Sequence, residues 1–197
     1  MAIGSSAGGP AALGTVFSKL PSRLNAAVVV TQHMPKGFTT RLSERLAMLS
    51  KLQVREAQFV DDPQLGTALV TPGGYNMRVM GDGRIRLEKA TQTPSPSIDV
   101  MMESAAKAYG PNCVGVLLTG MLTDGVLGMK AIKDAGGITI AQDESSSFIF
   151  GMNKAAIEAG VVDAVAPASK IAQAITDALS SSWTMLRTTS ALQILRY

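Results

Sequence analysis

Three residue types with complementary chemistry occur in short, separate segments of this chain. Ser6 lies in Gly4-Ser5-Ser6-Ala7-Gly8-Gly9, His33 in Thr31-Gln32-His33-Met34, and Asp124 in Gly120-Met121-Leu122-Thr123-Asp124-Gly125. A serine hydroxyl is a weak nucleophile until a base removes its proton. An imidazole does this at neutral pH when a carboxylate fixes its tautomer and stabilises the imidazolium. Brought together, such a trio would attack an ester or amide carbonyl and pass through an acyl intermediate.

Each segment alone supports more than one reading. Gly4-x-Ser6-x-Gly8 fits the nucleophile pattern at a sharp strand-to-helix turn, where small neighbours let the hydroxyl stand clear. The same stretch could cradle a phosphate at a helix N-terminus, or be only a tight turn. A dinucleotide loop usually runs Gly-x-Gly-x-x-Gly, with an acid at the end of the next strand for the ribose. Here Ser6 replaces the second glycine, and the next strand ends on His33. His33 is the sole histidine of the chain. A lone histidine is commonly structural, but this one follows a buried strand, on the edge where α/β sheets collect their sites. No metal site is expected without a second histidine or a cysteine cluster. For the acid, Asp124 and Asp143 both follow buried strands. Asp124 also reads as a helix N-cap, but its loop could supply a backbone N–H for an oxyanion hole as well as a carboxylate. Asp143 is the runner-up. Asp61, Asp62 and Asp82 read as turn residues, and Asp99 as an early-turn helix charge.

The elements that must position these residues alternate. A short strand ends at Gly4, and a helix runs from about Pro10 to Leu20, proline being tolerated in the first turn. Ala27–Thr31 (AVVVT) and Val114–Thr119 (VGVLLT) are continuous apolar runs, as in strands buried on both faces. Residues 38–49 and 98–109 have helical periodicity. Asp124 opens a helix that ends near Gly136-Gly137. A strand at 138–141, a short helix at 153–159, a short strand at 161–165 and a helix from Pro167 follow. Gly81-Asp82-Gly83 reads as the tip of a hairpin over 76–88. The pattern predicts an α/β fold: a doubly wound, mostly parallel sheet flanked by helices, with an antiparallel edge hairpin.

The chain has 197 residues, 46% of them apolar, which suits one compact domain over 1–180. The stretch 181–197 fits the alternation poorly and reads as a tail or an extra helix. No apolar run reaches the length of a membrane span, and no signal peptide is visible. The single cysteine, Cys113, excludes an internal disulfide framework and agrees with a cytoplasmic setting; it reads as core filler. The net charge of +3 is dispersed, and aromatic residues make up 5%, so nucleic-acid binding is not expected. A mildly basic face would help dock an acidic protein.

With Ser6, His33 and Asp124 in this order, the chain resembles the catalytic domain of chemotaxis protein-glutamate methylesterases. The matching blocks are AIGSSAGGP at 2–10, TQHMPKGFT at 31–39, VTPGGYNM at 70–77, PSIDVMMESAA at 96–106, GVLLTGMLTDGVLGM at 115–129 and TIAQDESSSFIFGMNKAAI at 139–157. The order Ser, His, Asp separates them from ordinary α/β-hydrolases, which run Ser, acid, His. The resemblance implies Ser6 as nucleophile, His33 as base and then acid, Asp124 as the orienting carboxylate, and the Met121 N–H in the oxyanion hole. It implies hydrolysis of glutamate γ-methyl esters on the cytoplasmic helices of chemoreceptors, with release of methanol. Some members also deamidate receptor glutamines. No cofactor is implied. The phosphorylatable receiver domain usual in the family has no counterpart in this chain, so gating of the site by such a domain is not expected. Two departures stand out. Leu122-Thr123 replaces a frequent Gly-Asn, which bears on the substrate groove and the loop's backbone angles. Ala7 stands where some members carry a hydroxyl residue, which bears on hydrogen bonding near His33.

Overall fold

The computed structural model describes residues 1–180; the tail or helix expected over 181–197 lies outside the described residues. Strands and helices are numbered in chain order. Seven strands form one parallel sheet: β1 (Ala2–Ser5), β2 (Val28–Gln32), β3 (Gln53–Glu56), β5 (Thr67–Val70), β8 (Val114–Leu117), β9 (Ile138–Gln142) and β10 (Ala164–Ala166). Their order is β10-β9-β8-β1-β2-β5-β3. The chain thus winds outward from β1 through β2 to one edge, then returns to β8 on the other side of β1. This reversal makes the β1/β8 boundary a topological switch point, where the loops beyond the strand ends diverge and leave a crevice.

Alternation along each strand explains the unbroken apolar runs. Ile3, Val28, Val30, Val70, Val116 and Ile140 point to one face. Ala2, Val29, Leu69 and Leu117 point to the other. Both faces are covered by helices, so neither set can be polar. On the first face lie α1 (Gly9–Phe17), α2 (Phe38–Leu49) and α6 (Ala168–Ala178), packed through Leu13, Phe17, Leu46 and Ile171. On the second lie α3 (Ile98–Tyr109), α4 (Val126–Asp134) and α5 (Met152–Glu158), packed through Met101, Met102, Met129 and Met152. Cys113 is buried in this second cluster, as expected of core filler.

The hairpin forms where the sequence places it, as β6 (Tyr75–Val79) and β7 (Ile85–Lys89). It does not extend the parallel sheet. It pairs with the short β4 (Val60–Asp61) in a separate three-stranded antiparallel sheet, whose Met77, Val79, Ile85 and Leu87 join the cluster around α3. Two other boundaries shift for local reasons. The last strand is β10 at 164–166 rather than 161–165, because Val161 and Asp163 are bonded to the Thr139 hydroxyl and backbone instead. Helix α4 begins after Asp124, at Val126, with Gly125 at φ 102° as its cap residue.

Candidate active site

Ser6, His33 and Asp124 follow three adjacent strands, β1, β2 and β8. Parallel pairing of β1 with both neighbours brings their carboxyl ends level. The His33 N–H donates to the Ser5 carbonyl at 3.0 Å, and the Ser6 N–H to the Thr119 carbonyl at 3.0 Å. These extensions of the ladder hold the start of each loop in register with the sheet. The side chains then converge. His33 Nδ1 lies 3.1 Å from Ser6 Oγ, and His33 Nε2 lies 2.7 Å from Asp124 Oδ2. The side chains of His33 and Asp124 are each 10% exposed, so water screens this contact little.

The turn after β1 differs from a strained nucleophile elbow. Ser6 has ordinary negative φ; the left-handed residue is Gly8, at φ 79°, which caps α1. Gln32, which the sequence reading passed over, locks this turn. Its Oε1 accepts from Ser5 Oγ at 2.6 Å, and its amide donates to the carbonyls of Ser6 and His33 at 2.8 and 3.0 Å. One side chain therefore ties the Ser6 turn to the His33 turn. A Cβ on Gly9 would stand 1.9 Å from Gln32 Oε1, so glycine is needed there.

Asp124 is held by a helix other than the one it precedes. It does cap a helix, but that helix is α3. Its carboxylate accepts from Ile98 N at 2.7 Å, Asp99 N at 3.0 Å and Ser97 Oγ at 3.2 Å. The unpaired N–H groups of the first turn of α3 are thereby accounted for: Ser97 N donates to Asn76 Oδ1 and Val100 N to Ser97 Oγ, leaving Ile98 and Asp99 for Asp124. Asn76 is on β6, so the small sheet helps to place the helix whose first turn holds Asp124. A Cβ on Gly4 would lie 2.3 Å from Ile98 Cγ2, which shows how closely α3 approaches the end of β1.

Asp99 returns the arrangement. Its Oδ1 accepts from Gly125 N at 2.8 Å and Gly128 N at 2.7 Å, at the start of α4. The two carboxyl groups differ electrostatically. Burial pushes Asp124 upward, but its bonds to the His33 ring and to the Asp99 and Ile98 N–H groups outweigh this and hold it below the usual carboxylate range. Burial pushes Asp99 up to about 6, with the Asp124 charge adding to the rise and the Gly128 and Gly125 N–H groups opposing it. Near neutrality Asp124 is the carboxylate that faces the imidazole.

Met121 follows Gly120, whose missing side chain lets the loop after β8 touch Ser6: a Cβ there would stand 2.7 Å from Ser6 Cβ. Among the described residues the Met121 backbone N–H has no acceptor. Leu122 sits at φ 67°, the left-handed region. It is the position where the resemblance leads one to expect glycine. Asp143, the runner-up acid, spends its carboxylate on Ser145 and Ser146 within its own turn and has no contact with His33. Asp61 pairs with Arg55, and Asp82 with Arg84. Among the described residues, no group of three or more His, Cys, Asp or Glu side chains is placed to hold a metal ion, and no helix is long and apolar enough to cross a membrane.

A doubly wound α/β domain with a hydroxyl, an imidazole and a carboxylate in line at its carboxyl rim has the layout of the serine hydrolase class. Residues 1–175 match the family model described as CheB methylesterase, and the chain belongs to that family. It is 46% identical over 178 residues to the protein-glutamate methylesterase/protein-glutamine glutaminase of Archaeoglobus fulgidus, covering 88% of this chain and 51% of that protein. The protein of the same name from Pyrococcus abyssi is 46% identical over 184 residues, covering 91% and 50%. The chain thus spans about half the length of these relatives. The crystal structure of the Thermotoga maritima CheB methylesterase catalytic domain superposes with a TM-score of 0.86 at 36% identity, covering 89% of this chain and 96% of that one.

Proposed function

We propose that this chain hydrolyses the methyl esters of glutamate side chains on the cytoplasmic helices of chemoreceptors, releasing methanol, with Ser6, His33 and Asp124 as its triad. The observation that carries the reading is the position of the His33 ring, within hydrogen-bond reach of Ser6 Oγ on one side and Asp124 on the other. His33 Nδ1 takes the Ser6 proton as Oγ attacks the ester carbonyl. The charge that develops on the carbonyl oxygen is met by backbone N–H groups, that of Met121 among them. The tetrahedral intermediate collapses, His33 returns the proton to the departing methoxide, and methanol leaves. Water, deprotonated by His33, then cleaves the glutamyl ester on Ser6, restoring the serine and leaving a free glutamate. Asp124 keeps the ring oriented and stabilises the imidazolium. The same cycle on a side-chain amide releases ammonia, in line with the double name of the relatives.

Exposed Met121, Leu122 and Phe148 stand on the loops beside Ser6 and suit the apolar flank of a helical substrate. A cytoplasmic setting, and a phosphorylatable receiver domain as a regulatory partner, belong to the same proposal. The test is direct. A fluorophosphonate should label Ser6, and methylated receptor helices should yield methanol faster than a small generic ester does. Ser6→Ala should abolish turnover, and Asp124→Asn should lower it about 10⁴-fold. Near-normal turnover in either variant removes the role assigned to that residue.

A further inference from the structure

Helices α3 and α4 exchange caps across the acid loop. Asp124, just before α4, accepts from the first turn of α3, while Asp99, in the first turn of α3, accepts from the first turn of α4. The exchange is close because α4 has no side chain at its point of contact. A Cβ on Gly128 would lie 2.4 Å from Met102 Cβ and 3.3 Å from Asp99 Cα. Gly125, directly after Asp124, is bonded by its N–H to Asp99, so one Asp99 oxygen sets the position of the peptide that carries the acid. No side chain of α4's own cap residue does this.

We propose that Asp99 is a positioning residue for the hydrolytic site: its Oδ1, by holding Gly125 N and Gly128 N together, seats the Asp124 carboxylate where it meets His33 Nε2. This deepens the proposed function and rests on its reading of Asp124 as the orienting acid. What the role requires of residue 99 is an acceptor oxygen at that position, not a charge. Asparagine supplies one; alanine does not. Without it, two N–H groups at the start of α4 lose their acceptor, and the loop that follows β8 keeps only the bonds of Asp124 itself to α3.

The experiment compares Asp99→Ala and Asp99→Asn with the unaltered chain by two measurements. The first is the ring N–H proton of His33, which is free of overlap because the chain has no other histidine. Bonded to Asp124, it should resonate at low field in the unaltered chain and in Asp99→Asn, and be lost in Asp99→Ala. The second is the rate of Ser6 labelling by a fluorophosphonate. It should fall about 10- to 100-fold in Asp99→Ala, as expected of a displaced catalytic group, and stay within about threefold in Asp99→Asn. Unchanged ring proton and labelling in Asp99→Ala overturn the proposal, as does an equal loss in both variants, which would make the charge the requirement. If Asp99→Ala does not fold, Asp99→Ser, whose hydroxyl is too short to span both N–H groups, takes its place with the same expected losses. Absence of Ser6 labelling in the unaltered chain would sink the proposed function, while the ring proton still reports on the seat of Asp124.

Discussion

His33 presents Nε2 to Asp124 at 2.7 Å and Nδ1 to Ser6 at 3.1 Å. In the familiar serine-protease triad the ring lies the other way round, with Nε2 facing the serine and Nδ1 the aspartate. The reversal follows from where the three loops start. His33 leaves β2 beside β1, so the near ring nitrogen meets the hydroxyl, and the far one reaches past it to the acid from β8. The neutral ring should therefore carry its proton on Nε2 and leave Nδ1 as the free base. Nitrogen-15 shifts of the sole histidine at alkaline pH check this: a pyridine-like Nδ1 and a protonated Nε2 are expected. The opposite tautomer would contradict proton transfer through Nδ1.

Gly120 is where the loop carrying Asp124 and the turn carrying Ser6 touch. An added methyl would lie 2.4 Å from Met152 Sδ and 2.7 Å from Ser6 Cβ. The methionine can re-aim its flexible end, but Ser6 Cβ is fixed by its backbone. Gly120→Ala should push the two loops apart, lowering kcat/KM about 100-fold and stability by about 1–3 kcal/mol. Kinetic assay together with a thermal melt separates the two effects. An unchanged rate would show that the contact has no bearing on the chemistry.

Leu122 has φ 67° and is 64% exposed. A β-carbon in the left-handed region costs about 1–2 kcal/mol, and little burial offsets that here. Leu122→Gly should raise stability by about 1 kcal/mol after glycine's own entropy cost, or about 2–4 °C in Tm. A fall in Tm would mean that the leucine is held by contacts worth more than the strain. Turnover of a small ester should not change, since Leu122 bonds to none of the three site side chains.

The two carboxyl groups should act oppositely on stability as pH changes. Asp99 is lifted from 3.8 to about 6, so the folded chain binds its proton more tightly than the unfolded one. That contribution is complete below pH 3.8 and is lost as pH rises through about 6. Asp124 is lowered, so its contribution is present above 3.8 and is lost as pH falls through its folded value. Asp99→Asn, neutral throughout, escapes the first loss. Relative to the unaltered chain, it should gain about 1–2 kcal/mol between pH 4 and pH 8, solvent screening keeping the figure low. Urea midpoints at the two pH values measure the gain. A gain of zero, or of the opposite sign, would show that Asp99 is not lifted.

Much of the molecule was legible along the chain. Apolar runs such as Val28–Val30 and Val114–Val116 announce strands covered on both faces, and their alternation with amphipathic helices implies a doubly wound sheet. Residue type and location after a strand were enough to select Ser6, His33 and Asp124 as candidates, since those properties belong to short segments. What local pattern cannot carry is pairing between distant segments. Only the strand order, with β1 between β2 and β8, brings the three loops to one crevice and sets Asp143, two strands from β1, apart from His33. Which helix Asp124 caps, which nitrogen His33 turns to the hydroxyl, and the clamp made by Gln32 were likewise decided by the tertiary structure. Each depends on an angle or a distance between elements far apart in the chain. Local propensity says where an N-cap can be, not whose helix it will serve.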